Sequence, residues 1–183
     1  MLAGSGLTLG TLDDYPGLPE IVEDGSTFQE NALKKARTIA QLTGETCLAD
    51  DSGLEVCALN GAPGIYSARY AGNGAGDAEN IRKLLDDLKG IPPAGRDAVF
   101  RCVLVLCRPD GLYRSFEGRW EGRIAETPAG QGGFGYDPIF FLPDRGFTVA
   151  ELPAEIKNRI SHRAEAFAKL SAWLQKGFEE NGA

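Results

Sequence analysis

Apolar and polar positions alternate over residues 7–12, Leu7-Thr8-Leu9-Gly10-Thr11-Leu12, with the two-residue period of a strand. An acidic loop from Asp13 to Gly25 follows, carrying Pro16 and Pro19. The period then lengthens. Phe28, Ala32, Ala36, Ile39 and Ala40 recur at helical spacing, and Ser26-Thr27-Phe28-Gln29 predicts a capping box with Ser26 at the N-cap. Gly44 marks the end of that helix. Thr46 to Ala49 reads as a short strand leading into Asp50-Asp51-Ser52-Gly53, Leu54 to Leu59 as a second strand, and Gly61-Ala62-Pro63-Gly64 as a turn. Asp77 to Leu88 predicts a helix with Ile81, Leu84, Leu85 and Leu88 as its apolar stripe. Ala98 to Cys107 predicts a long strand, apolar on both faces in its second half, which suits a central place in a sheet. Arg108-Pro109-Asp110-Gly111 is a hairpin turn, and Tyr113 to Ile124 returns as a strand interrupted by Gly118 and Gly122. A glycine-rich loop from Gly130 to Asp137 precedes another apolar strand, Ile139 to Leu142. The last helix begins near Ser161, with Ala164, Phe167, Leu170, Leu174 and Phe178 on one face. Helices interleaved with strands in this order predict an α/β or α+β fold built on a mixed sheet.

Composition adds bounds to this picture. The chain has 183 residues, 43% hydrophobic and 25% charged, an ordinary globular balance for one domain with a real core. Lys and Arg total 19 against 26 for Asp and Glu, so the net charge is −7. That argues against a broad surface tracking DNA or RNA phosphates, and it leaves room for a small phosphorylated ligand met by a few local cations or a metal. No apolar run approaches the roughly 18 residues of a membrane span. The first six residues, Met1-Leu2-Ala3-Gly4-Ser5-Gly6, lack the basic and apolar regions of a signal peptide. Cys47, Cys57, Cys102 and Cys107 show no CxxC spacing, and there is one histidine, so a zinc site is not indicated. These cysteines read as four buried, reduced thiols in strands, in keeping with a cytoplasmic protein.

Four segments carry candidate chemistry. In Leu48-Ala49-Asp50-Asp51-Ser52-Gly53, adjacent carboxylates at a strand end offer the hard oxygen ligands that Mg²⁺ prefers, although Asp-Ser-Gly is also an ordinary turn. Glu20, Glu23 and Asp24 lie on the acidic loop, which either brings further carboxylates to the same ion or is simply solvated. In Gly130-Gln131-Gly132-Gly133-Phe134-Gly135-Tyr136-Asp137-Pro138, three glycines match GxGxxG, but Pro138 and an apolar strand follow where a dinucleotide fingerprint requires a helix. With Phe134 and Asp137, this loop suits clamping a planar base. In Glu155 to Arg163, Ser161 is a candidate N-cap, and His162 and Arg163 fall in the first helical turn, where backbone N–H groups already favour an anion.

Together and in this order, the segments resemble the inosine triphosphate pyrophosphatase family. The resemblance rests on Thr27-Phe28-Gln29-Glu30-Asn31-Ala32, Ala49-Asp50-Asp51-Ser52-Gly53-Leu54 and Gly61-Ala62-Pro63-Gly64-Ile65-Tyr66-Ser67-Ala68-Arg69. It rests most specifically on Gly132-Gly133-Phe134-Gly135-Tyr136-Asp137-Pro138-Ile139-Phe140 and Lys157-Asn158-Arg159-Ile160-Ser161-His162-Arg163. It implies a single ITPase-like domain over residues 1–183, α/β, with a mixed curved sheet in two lobes and the nucleotide in the cleft between them. It further implies a homodimer, a Mg²⁺ requirement, and cleavage of ITP, dITP or XTP to the monophosphate and pyrophosphate. By the resemblance, Asp51 is the general base, and Asp50, Asp51, Glu23 and Glu20 are metal ligands. Ser52, Phe134, Gly135, Tyr136, Asp137, Lys157, His162 and Arg163 contact the substrate. His162 and Arg163 as donors would pair with a 6-oxo purine and leave the 6-amino group of adenine facing donors.

Family members begin with a strand, a Thr/Ser-Gly-Asn-x-x-Lys loop that holds the triphosphate, and a helix. The first six residues here resemble the end of that helix, so the expectation is a chain truncated at its N-terminus relative to the family, by roughly twenty residues on ordinary element lengths. Either the start is an internal Met of a longer product, or the chain is a catalytically impaired, dimeric nucleotide-binding relative. A Maf-type nucleotide pyrophosphatase, which shares the architecture, is a further alternative, against which Ser161-His162-Arg163 argues.

Overall fold

The computed structural model describes residues 8–176. Helix α1 (Phe28–Thr43) buries Phe28, Ala32, Ala36, Ile39 and Ala40, the stripe expected from the sequence. Its cap lies one residue later than expected. Thr27 is the N-cap and accepts from Glu30 N at 3.1 Å, while Glu30 reaches back to Ser26 N and Oγ, each at 2.7 Å. The shift follows from chemistry, since the ionised Glu30 is a stronger acceptor for the preceding amide than Gln29. Gly44 closes the helix with its N–H on Ala40 O at 3.0 Å.

Strand β1 (Cys47–Val56) is continuous through Asp50-Asp51-Ser52-Gly53. The two strands expected on either side of a turn are therefore one, and a 3-10 turn, Cys57–Leu59, takes the place of the second strand's end. Short β2 (Pro63–Gly64) pairs antiparallel with it, Leu54 opposite Gly64, and the Ala62–Pro63 peptide is cis. Helix α2 (Asp77–Asp87) precedes β3 (Asp97–Cys107) and β4 (Tyr113–Ile124), which match the expected hairpin, with Gly111 N on Arg108 O at 2.9 Å. Strands β5 (Phe140–Leu142) and β6 (Phe147–Thr148) complete a six-stranded sheet in the order β2-β1-β3-β4-β5-β6. The β1–β2, β4–β5 and β5–β6 pairs are antiparallel, so the mixed strand directions expected from the sequence are not seen in these pairs. The central place of β3 agrees with its two apolar faces. Helix α3 (Ala154–Ile160) went unseen in the sequence pattern because it is one short element with no buried residue. Helix α4 (His162–Gln175) buries Ala166 and Leu170.

Two further expectations change. Residues 8–11 form no strand, and Leu12–Asp14 make a 3-10 turn held by Asp14 Oδ2 on Thr11 N at 2.7 Å. Leu9 and Leu12 are 66% and 63% exposed, so the alternation there has no sheet to bury it. Leu7 and Phe178 lie outside the described residues. Cys57 is exposed on its 3-10 turn rather than buried in a strand, Cys47 is half-buried, and Cys102 and Cys107 are buried, all four outside any disulfide.

The described chain forms two compact units, one running up to Asp51 with Cys102–Gly118 and the stretch from Ala164, the other Ser52–Arg101 with Arg119–Arg163. The first has a small core of Cys102, Leu104, Phe116, Ala166 and Leu170. The second has a larger one, including Leu54, Leu84, Leu88, Ile124, Ile139 and Phe140. No helix among the described residues is long and apolar enough to cross a membrane.

Candidate active site

In the first unit, helix α1 and strand β1 meet around Asp51. Helical spacing sets Asn31 and Lys35 four residues apart, on one face of α1. Asn31 is fully buried. Its Nδ2 donates to Asp51 Oδ2 at 3.2 Å, and its Oδ1 accepts from Gly25 N at 2.8 Å, tying the acidic loop to the strand. Lys35 Nζ lies 2.9 Å from Glu23 Oε1 and 3.5 Å from Asp51 Oδ1. Asp51 is only 8% exposed. Burial pushes its carboxyl above the ordinary range, against the pull of Lys35 and Asn31 and with a further push from Glu23. A carboxylate of raised affinity for a proton, held by one amide and one ammonium, is suited to take a proton from water. Lys35 and Asn31 had no assigned role from sequence, and the signal available was their shared helix face.

The expected metal ligands are not all gathered. On β1, Asp50 is half-buried and Asp51 is buried. Glu20 is exposed on its loop. Among the described residues, no group of three or more His, Cys, Asp or Glu side chains is placed to hold a metal. Glu23 and Asp51 do converge on one cationic point, the Lys35 ammonium. That oxygen donor set fits Mg²⁺, which is commonly bound by one or two carboxylates together with substrate phosphates.

In the second unit, the loop from Gly130 to Asp137 is held rather than loose. A Cβ at Gly130 would come within 2.5 Å of the Ala150 backbone, and Gly132 N donates to Ala150 O at 2.9 Å. Gly133 has φ +76°, and a side chain there would run into Asp137 Oδ2. Asp137, 2% exposed, accepts from Phe134 N at 3.0 Å and forms an ion pair with Lys157. Phe134 is 60% exposed, with Lys157 Nζ 4.2 Å and Arg163 Cζ 5.5 Å from its ring centroid. An exposed aromatic ring attended by two cations is suited to stacking on a flat, electron-rich ligand. Gly135 N donates to Asp77 Oδ2 at 2.6 Å. As expected, the loop leads to a strand, through a 3-10 turn at Asp137–Ile139, and not to a dinucleotide-binding helix.

Two expected contacts read differently in place. Tyr136 is buried, its hydroxyl donates to Ser67 O at 2.9 Å, and burial raises its pKa, so it braces the loop from inside. His162 is 4% exposed and stacked on Phe100 at 4.9 Å between centroids. Burial, then the charges of Arg163 and Lys157, lowers its pKa to about 3. The ring is therefore neutral near pH 7, with one N–H to give, and cannot act as the doubly donating imidazolium. Its Nδ1 is buried without a hydrogen-bond partner among the described residues. Ser52 is half-buried on β1.

Residues 1–173 match the Ham1 family. The chain is 53% identical over 174 residues to the dITP/XTP pyrophosphatase of Geobacter sulfurreducens, covering 95% of this chain and 87% of that protein. It is 52% identical to the dITP/XTP pyrophosphatase of Listeria innocua, covering 95% and 86%. Among solved structures, the Staphylococcus aureus Ham1 protein superposes with a TM-score of 0.85 at 45% identity, over 90% of this chain and 85% of that one. The HAM1 protein from Coxiella burnetii gives 0.83 at 49% identity, over 87% and 82%. The glycine loop, the buried aspartate and the Ser-His-Arg turn are thus embedded in a match that runs nearly the whole chain, and this chain belongs to the Ham1 family.

Proposed function

We propose that this chain hydrolyses non-standard purine nucleoside triphosphates, ITP, dITP and XTP, to the nucleoside monophosphate and pyrophosphate. The reaction is attack of water on the α-phosphorus, with the α–β bridging oxygen leaving on pyrophosphate. Asp51 takes the proton of the attacking water, Asn31 fixes the direction of its carboxylate, and Lys35 balances the charge of Asp51 and Glu23. The observation that carries this reading is the buried Asp51 with its raised pKa, bonded to Asn31 and close to Lys35. Asp51 and Glu23 would hold a divalent ion such as Mg²⁺, with Asp50 and Glu20 as further candidates. Such an ion supplies Lewis-acid polarisation of phosphate oxygens when bound.

The base is read by the glycine loop and the Ser-His-Arg turn. Phe134 stacks on the purine, Lys157 and Asp137 hold the loop, and Arg163 with the single N–H of neutral His162 donates to a 6-oxo group. Adenine offers an amino group at that position, and a site built on such hydrogen bonds rejects the wrong analogue by up to about 10⁴-fold. Ser52 contacts the substrate beside Asp51. A cytoplasmic homodimer completes the reading, supported by four cysteines outside any disulfide and by the family resemblance. The test is pyrophosphate release from ITP, dITP, XTP, GTP, ATP and CTP by the wild-type protein and by Arg163→Ala. The expected result is selectivity for ITP, dITP and XTP that weakens in the variant. ATP hydrolysed as fast as ITP, or unchanged selectivity in Arg163→Ala, would remove the base-reading role.

A further inference from the structure

We propose that Asp77 is a positioning residue for base recognition, holding Phe134 in place through the backbone of Gly135. The proposal rests on the reading of Phe134 as the base-stacking ring. Asp77 is the first residue of α2, where an acidic side chain ordinarily serves only the helix terminus. That task is already met there. Glu79 accepts from the N–H of the cap residue Gly76 at 2.9 Å. The Asp77 carboxylate instead accepts from Gly135 N at 2.6 Å, across a sequence separation of 58 residues.

What this bond restrains follows from its position. Phe134 N donates to Asp137 Oδ2 at 3.0 Å, and the next amide, Gly135 N, donates to Asp77. The peptide groups on both sides of the Phe134 Cα are therefore each bound to a carboxylate. Packing offers little alternative restraint. The Phe134 ring is 60% exposed, and a Cβ built at Gly135, which has φ +60°, would meet nothing within 4 Å. A glycine of this freedom beside an exposed ring would let the ring wander unless the backbone were tied. Asp137 ties it from inside the loop, and Asp77 ties it to α2. Loss of the second tie should leave the fold intact and weaken substrate binding by adding an ordering cost to each binding event.

Steady-state ITP hydrolysis should separate this role from a purely structural one, using the full chain as wild type, Asp77→Ala, Asp77→Asn, Phe134→Ala and the Asp77→Ala/Phe134→Ala double variant. Asp77→Ala is expected to raise KM about 10-fold with kcat within about two-fold of wild type, because the tie acts in binding and not on the reacting atoms. Asp77→Asn keeps an oxygen acceptor for Gly135 N and should restore KM to within about two-fold. In the Phe134→Ala background, Asp77→Ala should add nothing, because both act through one ring. An unchanged KM in Asp77→Ala, an equal KM rise in Asp77→Asn, or additive effects in the double variant would each overturn the proposal. Hydrogen exchange at the Gly135 amide gives a readout independent of turnover: slow in wild type and Asp77→Asn, fast in Asp77→Ala. Equal exchange in all three would overturn the tie itself. A protected amide in a wild-type protein that does not hydrolyse ITP would instead overturn the functional reading, and the recognition role with it.

Discussion

Around Asp51 a carboxylate is taken out of water; around Phe134 an aromatic ring is left in it. The Asp51 group is built from regular elements, with Asn31 and Lys35 on α1 and the aspartate on β1, so its atoms are held by helix and sheet packing. The Phe134 group is built on a loop, and its order comes from carboxylates that accept backbone N–H groups. Burial raises the proton affinity of Asp51, which is useful for taking a proton. The Phe134 ring keeps its exposure and gathers cations, which is useful for meeting a flat ligand. On the proposed reading, the first arrangement acts through electrostatics and the second through shape. Changes in the first should therefore appear in kcat, and changes in the second in KM.

The hardest test of that division is Asp51→Asn. It keeps size and one acceptor oxygen but removes the proposed base, so the variant should fold and lose about 10²- to 10⁴-fold in kcat for pyrophosphate release from ITP. Near wild-type turnover would end the assignment. Lys35→Met comes next. It removes the ammonium shared by Glu23 and Asp51 and should lower kcat about 10- to 100-fold, with KM changed less. A KM effect alone would move Lys35 into the recognition group. Phe134→Ala should do the reverse, raising KM for ITP about 10-fold while kcat holds, since stacking is worth roughly 1–3 kcal/mol per base. If kcat falls and KM does not, the separation between the two groups is wrong.

The last expected effect concerns stability rather than turnover. His162 has a folded pKa of about 3, below its ordinary value of 6.5, so the folded state holds fewer protons on this ring between those limits. Its contribution is present above pH 6.5 and is lost as pH falls toward about 3, by up to roughly 1.4 kcal/mol per unit. Urea midpoints measured at pH 7 and pH 5 should fall more steeply with acid in the wild type than in His162→Gln. Equal slopes would mean that the ring is solvated and titrates near its ordinary value.

Much of the local structure was legible in the chain. The stripe Phe28, Ala32, Ala36, Ile39 and Ala40 predicted the buried face of α1, and the doubly apolar run ending at Cys107 predicted a central strand. The same reasoning misjudged residues 8–11 and Asp50-Asp51-Ser52-Gly53. In the first case alternation found no neighbouring strand among the described residues; in the second, turn-forming residues were carried through by a strand that pairs beyond them, Leu54 opposite Gly64. Local preference yields to tertiary context in both. The site divides in the same way. Asp51, Phe134, Lys157, His162 and Arg163 could be proposed as site residues from the sequence because their motifs are contiguous.

What the sequence determined by itself was therefore periodicity and residue chemistry: which faces are apolar, where helices begin, and which acids and bases are present. Tertiary structure alone decided that Lys35 bridges Glu23 and Asp51, that Tyr136 turns inward to Ser67, that His162 is buried neutral against Phe100, and that Asp77 holds Gly135. The physical reason is range. Helical and strand periods arise between residues a few positions apart, whereas desolvation and hydrogen bonding depend on what the fold brings near. For Asp77 and Gly135 that neighbour lies 58 residues away, and no local pattern records it.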